Sequence, residues 1–261
     1  MKKLFVCAAM LLAVGVQAQT NKIAVGTKVQ LESSGKTTTK INMMGQDMEI
    51  PVTTTMTAEL SAKSVDAAVL KAGVTLKKVS GTVNMMGQEN SFSSDDKNIA
   101  NNPQAAELMK NINKEEDVIL ENGKVKGKSD VGINGVPTNS EWARMVFLTL
   151  AADNIKESYK WTEESSGDGT KNTTIFTVTK VTAAEIEVTA TSSLKIEKTI
   201  QQMGMDMKQN LTGTSTSVRV YDAATAILKA DATKMEMTGT MLVMGSEAPI
   251  AITSITTTTV K

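Results

Sequence analysis

Residues 41–52 read INMMGQDMEIPV, and residues 200–212 read IQQMGMDMKQNLT. Both contain the pattern Met-Gly-any-acid, which the chain writes four times, at Met44 to Asp47, Met86 to Glu89, Met203 to Asp206 and Met244 to Glu247. With Ile41 laid on Ile200, Met44, Gly45, Asp47, Met48 and Thr53 meet Met203, Gly204, Asp206, Met207 and Thr212. After a gap of one residue, Gly81, Thr82, Met86, Gly87 and Glu89 meet Gly239, Thr240, Met244, Gly245 and Glu247. Two spaced motifs kept in step indicate an internal duplication. Each half then holds two long hairpins, with the Gly-X pair as a two-residue type II′ turn whose first central residue needs φ > 0.

Pairing residues across these turns tests the idea. Around Gly45-Gln46, Met43 would face Met48 and Ile41 would face Ile50, so one face collects Ile41, Met43, Met48, Ile50 and Val52, as strand period two requires. Around Gly245-Ser246, Val243 would face Ala248 and Met241 would face Ile250. Around Gly87-Gln88, Val83 would face Phe92 and Met85 would face Asn90. The third hairpin is poorest, with Ile200 opposite Gln209, which suggests a slip or bulge. Further strands follow from the alternation at 172–180 and 185–191 and from strand-turn-strand at 218–228. The many threonines suit the wet face of an antiparallel sheet.

Between the halves the pattern changes. Asn102 and Pro103 can start a helix carrying Ala106 and Met109. Val118 to Lys128 reads as a hairpin around Asn122-Gly123, with Glu121 facing Lys124 and Leu120 facing Val125. Lys124, Lys126 and Lys128 share a face there, which could hold an anionic lipid or glycan; a charged edge that discourages aggregation is the plainer reading. Thr138 and Glu141 form a capping box before a helix from Ser140 to Ala152. Its run Met145 to Leu150 is apolar nearly all round, so it must be buried, and a helix covering the inner face of a curved sheet would do that.

The chain opens with Lys2-Lys3, an apolar run from Leu4 to Val16 and Val16-Gln17-Ala18, which reads as a secretory signal peptide cleaved after Ala18. The mature chain is then 243 residues without cysteine or histidine. The sheet core alone must stabilise it, and its length suffices. Removing Lys2 and Lys3 leaves 26 basic against 28 acidic residues, which argues against a nucleic-acid partner. No later segment suits a transmembrane helix. Seven mature aromatics are too few for the girdles of an outer-membrane barrel.

Chemistry is sparse. Without histidine there is no Ser-His-Asp arrangement. The Ser-x-x-Lys matches at Ser33 and Ser94 lack supporting motifs. The acidic pairs sit in solvated contexts. Fifteen mature methionines raise Cu(I) binding through thioethers, against the plainer role of flexible core or pocket filler.

The exported start, the repeated hairpins and the stretch Leu211 to Leu228 resemble an uncharacterised family of exported Gram-negative bacterial proteins. More distantly, a long meander with a covering helix is similar to the half-barrel lipoprotein and lipid carriers of the LolA type. The resemblance implies a curved sheet and a lipid-like ligand, and it supplies no catalytic residue.

The sequence therefore predicts a mainly β protein: a duplicated antiparallel meander forming a curved sheet or half-barrel, with one or two covering helices. Its parts are a signal peptide at 1–18, a first β repeat at 19–97, a helical and hairpin insert at 98–152 and a second β repeat at 153–261. The expected function is non-enzymatic and without cofactor: a periplasmic or secreted protein that binds a lipid or acyl chain in an apolar concavity. Met43, Met48, Met85, Phe92, Met145, Phe147, Met207 and Met241 are the lining candidates, and equally candidates for plain core. The alternatives are an envelope structural or protein-interaction module with a filled core and an envelope protein partner, and Cu(I) binding by methionine clusters.

Overall fold

The computed structural model describes residues 22–43, 45–66, 69–85, 87–96, 111–126, 138–167, 169–202, 205–243 and 246–261. The leader, the helix expected from Asn102 and Lys128 lie outside them. The strands are β1 (Lys28–Met43), β2 (Gln46–Asp66), β3 (Val69–Met85), β4 (Gln88–Ser93), β5 (Glu115–Glu121), β6 (Lys124–Val125), β7 (Lys160–Gly167), β8 (Thr170–Val181), β9 (Glu185–Gln202), β10 (Met205–Asp222), β11 (Leu228–Val243) and β12 (Ser246–Val260). Helix α1 spans Asn139–Val146.

One antiparallel sheet runs β6-β5-β3-β2-β1-β12-β11-β10-β9-β8-β7, with β4 also paired to β3. It curls into a nearly closed half-barrel, so the mainly β expectation holds. β1 and β12 pair in its middle, joining strands β1–β6 to strands β7–β12. All four Met-Gly hairpins point to one end, here the tip; α1 packs at the other end, the base, against β3, β5 and β6.

The hairpin turns sit one residue earlier than expected. Met43 pairs with Gln46, Met85 with Gln88, Gln202 with Met205 and Val243 with Ser246. Glycine is therefore the second central residue, at φ 78° in Gly45 and 79° in Gly87, a position where type I′ and type II turns both need φ > 0. Moving a turn by one residue shifts every partner by two, so the faces survive. Ile41 now opposes Met48, and Ile200 opposes Met207 rather than Gln209, which removes the poor match of the third hairpin. Asn42 Nδ2 also donates to Asp47 Oδ1 across the first turn at 2.6 Å.

The Asn122-Gly123 hairpin pairs as read, Leu120 with Val125 and Glu121 with Lys124, with both turn residues at positive φ. The capping box is present: Glu141 N–H donates to Thr138 Oγ1, and Thr138 N–H to Glu141 Oε2. The helix, however, stops at Val146 instead of running to Ala152. Phe147 has extended dihedrals and bridges to Ile227, and Leu148 N–H donates to Ala226 O. Sheet pairing wins over helix at these residues, and Met145 to Leu150 are buried all the same.

The sheet bends in two ways. Toward the base, β-bulges interrupt β2–β3, β8–β9 and β10–β11, and bulges increase local twist. Toward the tip, Gly213 and Gly239 permit an approach no other residue allows. A Cβ on Gly239 would lie 2.0 Å from Asn210 O, and one on Gly213 2.2 Å from Glu236 O. Glycines inside strands mark such tight bends.

Two apolar clusters result. The larger fills the base and contains Trp142, Phe147, Phe176, Tyr221 and Leu31. The smaller lies near the tip and comprises Ile41, Met207, Leu211, Met237, Met241, Ala248 and Ile250.

Candidate functional site

The inner face changes character along β1 and β10. On β1 it reads Leu31, Ser33, Gly35, Thr37, Thr39, Ile41, and on β10 Tyr221, Arg219, Ser217, Ser215, Gly213, Leu211. The registers place these columns side by side with β11 and β12 between them. A hydroxyl-rich belt thus separates the base cluster from the tip cluster.

The belt is strongly hydrogen-bonded. Arg219 lies opposite Asp231, Asp231 opposite Thr258 and Thr258 opposite Ser33. Arg219 Nε donates to Ser217 Oγ at 3.2 Å and stands 3.6 Å from Asp231 Oδ1. Ser217 Oγ donates to the same carboxylate oxygen, and Thr233 Oγ1 donates to Oδ2 at 2.8 Å. Thr258 Oγ1 donates to Ser33 Oγ at 3.0 Å, and Thr174 and Ser192 share a bond of 2.8 Å. Asp231 is only 4% exposed, so it needs this full set of donors.

A second ion pair joins it. Arg144, in the last turn of α1, pairs with Glu163 on β7, and both side chains are largely buried, so the solvated setting expected of the acidic pair Glu163-Glu164 does not hold at Glu163. The guanidinium carbons of Arg144 and Arg219 lie 5.3 and 5.4 Å from the Phe176 ring centroid, within cation–π range. Trp161 stacks on the same ring at 4.8 Å. Burial pushes the Tyr221 phenol pKa up, with Arg219, Asp231 and Arg144 as its charged neighbours; the hydroxyl donates to Met145 O at 3.0 Å. Two cations balance two carboxylates, so the group is neutral as a whole.

Sequence reasoning passed over this cluster. A signal was available: the chain contains only two arginines and two tryptophans. Both arginines meet Phe176, and Trp161 and Trp142 sit on strand and helix beside them.

The lining candidates fall into several places. Met145 and Phe147 belong to the base cluster, with Phe92 half-buried against it. Met207 and Met241 belong to the tip cluster. Met48 is half-buried on the inner face opposite Ile41. Met85 is 44% exposed. The side chain of Met43 lies outside the described residues. Among the methionines raised for copper, Met207, Met237 and Met241 share the tip cluster, and Met235 packs against it. Among the described residues, no three His, Cys, Asp or Glu side chains gather as a metal site, and no helix is long and apolar enough to cross a membrane.

A cleft of about 470 Å³ opens elsewhere, near the base of β1 and β2, beside Lys28, Glu59, Glu115 and Lys261. Its charged rim differs from the apolar lining expected of a hydrophobic site.

No curated protein matches the sequence. In structure, the chain is similar to lipovitellin, as solved in work on its lipid–protein interactions, with a TM-score of 0.50 and 11% identity. The match covers 92% of this chain, and the chain spans only 25% of that protein. A putative outer membrane lipoprotein-sorting protein domain from Vibrio parahaemolyticus matches at a TM-score of 0.16 and 8% identity, over 85% of this chain and 83% of that one. A DUF1329 family protein from Desulfovibrio piger matches at 0.16 and 9%, with the same coverage. Residues 139–228, which hold α1, both tryptophans, Phe176 and both arginines, match the model of a family of unknown function, DUF6263, in keeping with the resemblance to an uncharacterised family.

Proposed function

We propose that the protein is an exported, non-enzymatic binder of a hydrophobic ligand, a lipid or acyl chain, held in the half-barrel against the tip cluster. One observation carries this reading: the apolar inner face is split in two by a polar belt. A domain packed for stability alone usually gathers one contiguous core, with smaller satellite clusters under long loops. Here an apolar wall of Ile41, Met207, Leu211, Met237, Met241 and Ile250 stands apart from that core. Its flexible thioethers adapt to chains of varied shape, and the belt beneath offers hydroxyls to a polar end. Met48 opposite Ile41 extends the wall. The carboxylates of the belt face guanidinium and hydroxyl donors, an arrangement that holds charge in place. The shared architecture with lipovitellin supports the fold of a lipid-binding protein, and the ligand itself rests on the side chains.

The test is native mass spectrometry of the mature protein exported in a Gram-negative host and purified without detergent, paired with a cis-parinaric acid titration. A stoichiometric released lipid, or saturable one-to-one probe binding, is expected. Met237→Glu should abolish it and the outward Val218→Lys should leave it. A clean apo mass with no saturable binding would refute the reading. A second reading draws on the low exposure of the tip cluster, 2% to 8%: a filled interior in an envelope interaction module. That clean result would favour it, whereas copper in the same sample would point to the thioethers.

A further inference from the structure

The two edges of the half-barrel are β7 on one side and β6 with β5 on the other. Helix α1 spans the seam between them. Asn139 Nδ2 donates to Glu116 Oε2 on β5 at 2.7 Å, and Arg144 pairs with Glu163 on β7. The β5–β6 turn approaches β7 directly, since a methyl on Gly123 would lie 3.3 Å from Trp161 Nε1. The rear of α1 is anchored independently, through Tyr221 to Met145 O and through the Phe147–Ile227 bridge. β7, by contrast, is paired among the described residues along one side only, to β8.

Among the described residues, four buried side-chain polar atoms have no hydrogen-bond partner. They are Trp142 Nε1 and Arg144 Nε on α1, and Trp161 Nε1 and Glu163 Oε1 on β7. Arg144 Nε, Glu163 Oε1 and Trp161 Nε1 belong to the residues of this seam, and Trp142 Nε1 lies on α1 behind it. A buried donor or acceptor without a partner forfeits its hydration and regains it when water reaches it. The unsatisfied groups therefore favour a parted seam, and the Arg144–Glu163 pair with the Trp161–Phe176 stack opposes parting.

We infer that the half-barrel opens between α1 and β7, with the Arg144–Glu163 pair as its latch, and that this seam admits the ligand to the inner face. The passage rests on the ligand-binding reading; the opening does not.

Of the chain's two tryptophans, Trp161 stands on β7 at the seam, stacked on Phe176, so its fluorescence reports the seam directly. The experiment uses the full mature chain without ligand. Trp142→Phe leaves Trp161 as the sole emitter. Adding Arg144→Gln or Glu163→Gln should at least double its acrylamide quenching constant and red-shift its emission, with urea unfolding still cooperative. Leu211→Ala, a destabilising change far from the seam, should do neither. Unchanged quenching in a folded latch variant would overturn the opening. If the variants do not fold, ¹⁹F relaxation dispersion of the wild type labelled with 5-fluorotryptophan decides: exchange at the Trp161 indole is expected, and a flat profile there would overturn it. Stopped-flow binding of cis-parinaric acid then tests the passage. Arg144→Gln should speed association at least threefold, and saturable binding at an unchanged rate would overturn that role.

Discussion

Gly239→Ala should loosen the tip of the half-barrel. Gly239 sits on β11 between Leu211 and Ile250, and its missing Cβ lets β10 come within 2.0 Å of where that atom would stand. Real Cβ contacts do not fall under 3.0 Å, so the strands must separate by about 1 Å from a normal spacing of about 4.8 Å. Overpacking of this kind costs about 1–3 kcal/mol. Weakening the two nearest ladder hydrogen bonds adds about 1 kcal/mol each. The sum is roughly 3–5 kcal/mol. At a urea slope of about 3 kcal/mol/M the midpoint falls by roughly 1 M or more. Gly167→Ala is the control, because a methyl there meets nothing within 4 Å, and relief of chain entropy makes it neutral or slightly stabilising. Urea unfolding followed by circular dichroism measures both. Midpoints for the two variants within about 0.2 M of each other would refute the close-approach account of the bend.

Tyr221→Phe removes the donor to Met145 O, leaving a buried carbonyl unpaired; a loss of about 1–3 kcal/mol is expected by urea titration. Thr138→Ala breaks the capping box of α1 and should cost about 1 kcal/mol, also read by urea titration, with the quenching of Trp142 in a Trp161→Phe background rising in parallel. Asp222 accepts from the Thr225 N–H and hydroxyl and from the Ala224 N–H, which hold its carboxyl below the usual carboxylate range. The stability this provides is present above the unfolded value near pH 3.9 and is lost as pH falls through the lower folded value. Stability measured from pH 5 to pH 2 should therefore decline less in Asp222→Ala than in the wild type.

Most of the sheet was legible because its signals are local. Alternation, Asn122-Gly123 and the capping box at Thr138 each act over a few residues, and each appears where the sequence puts it. The four Met-Gly turns were misplaced by one residue, since glycine satisfies either central position and only the opposing strand decides. The shortened helix at Val146 had the same cause, a pairing with Ile227 that is distant in sequence. The pairing within the ion-paired belt was not legible for a related reason, although the scarcity of arginine and tryptophan marks its members. Arg144 with Glu163 and Arg219 with Asp231 belong to different elements, and no spacing along the chain announces them.

The pairing of β1 with β12 has a kinetic side. Eleven residue pairs join these strands, from Leu31 with Val260 to Ile41 with Ile250. β1 pairs with β2 on one side, but its other side stays open until β12 is available, so β1 is a long unsaturated edge while the chain folds. Contacts so far apart in sequence form slowly, and such edges recruit other chains. Because β1 and β12 are far apart in sequence, a second copy can supply the missing strand as well as the chain itself can. Domain-swapped dimers should therefore accumulate when the protein refolds at high concentration, and dilution before refolding should suppress them.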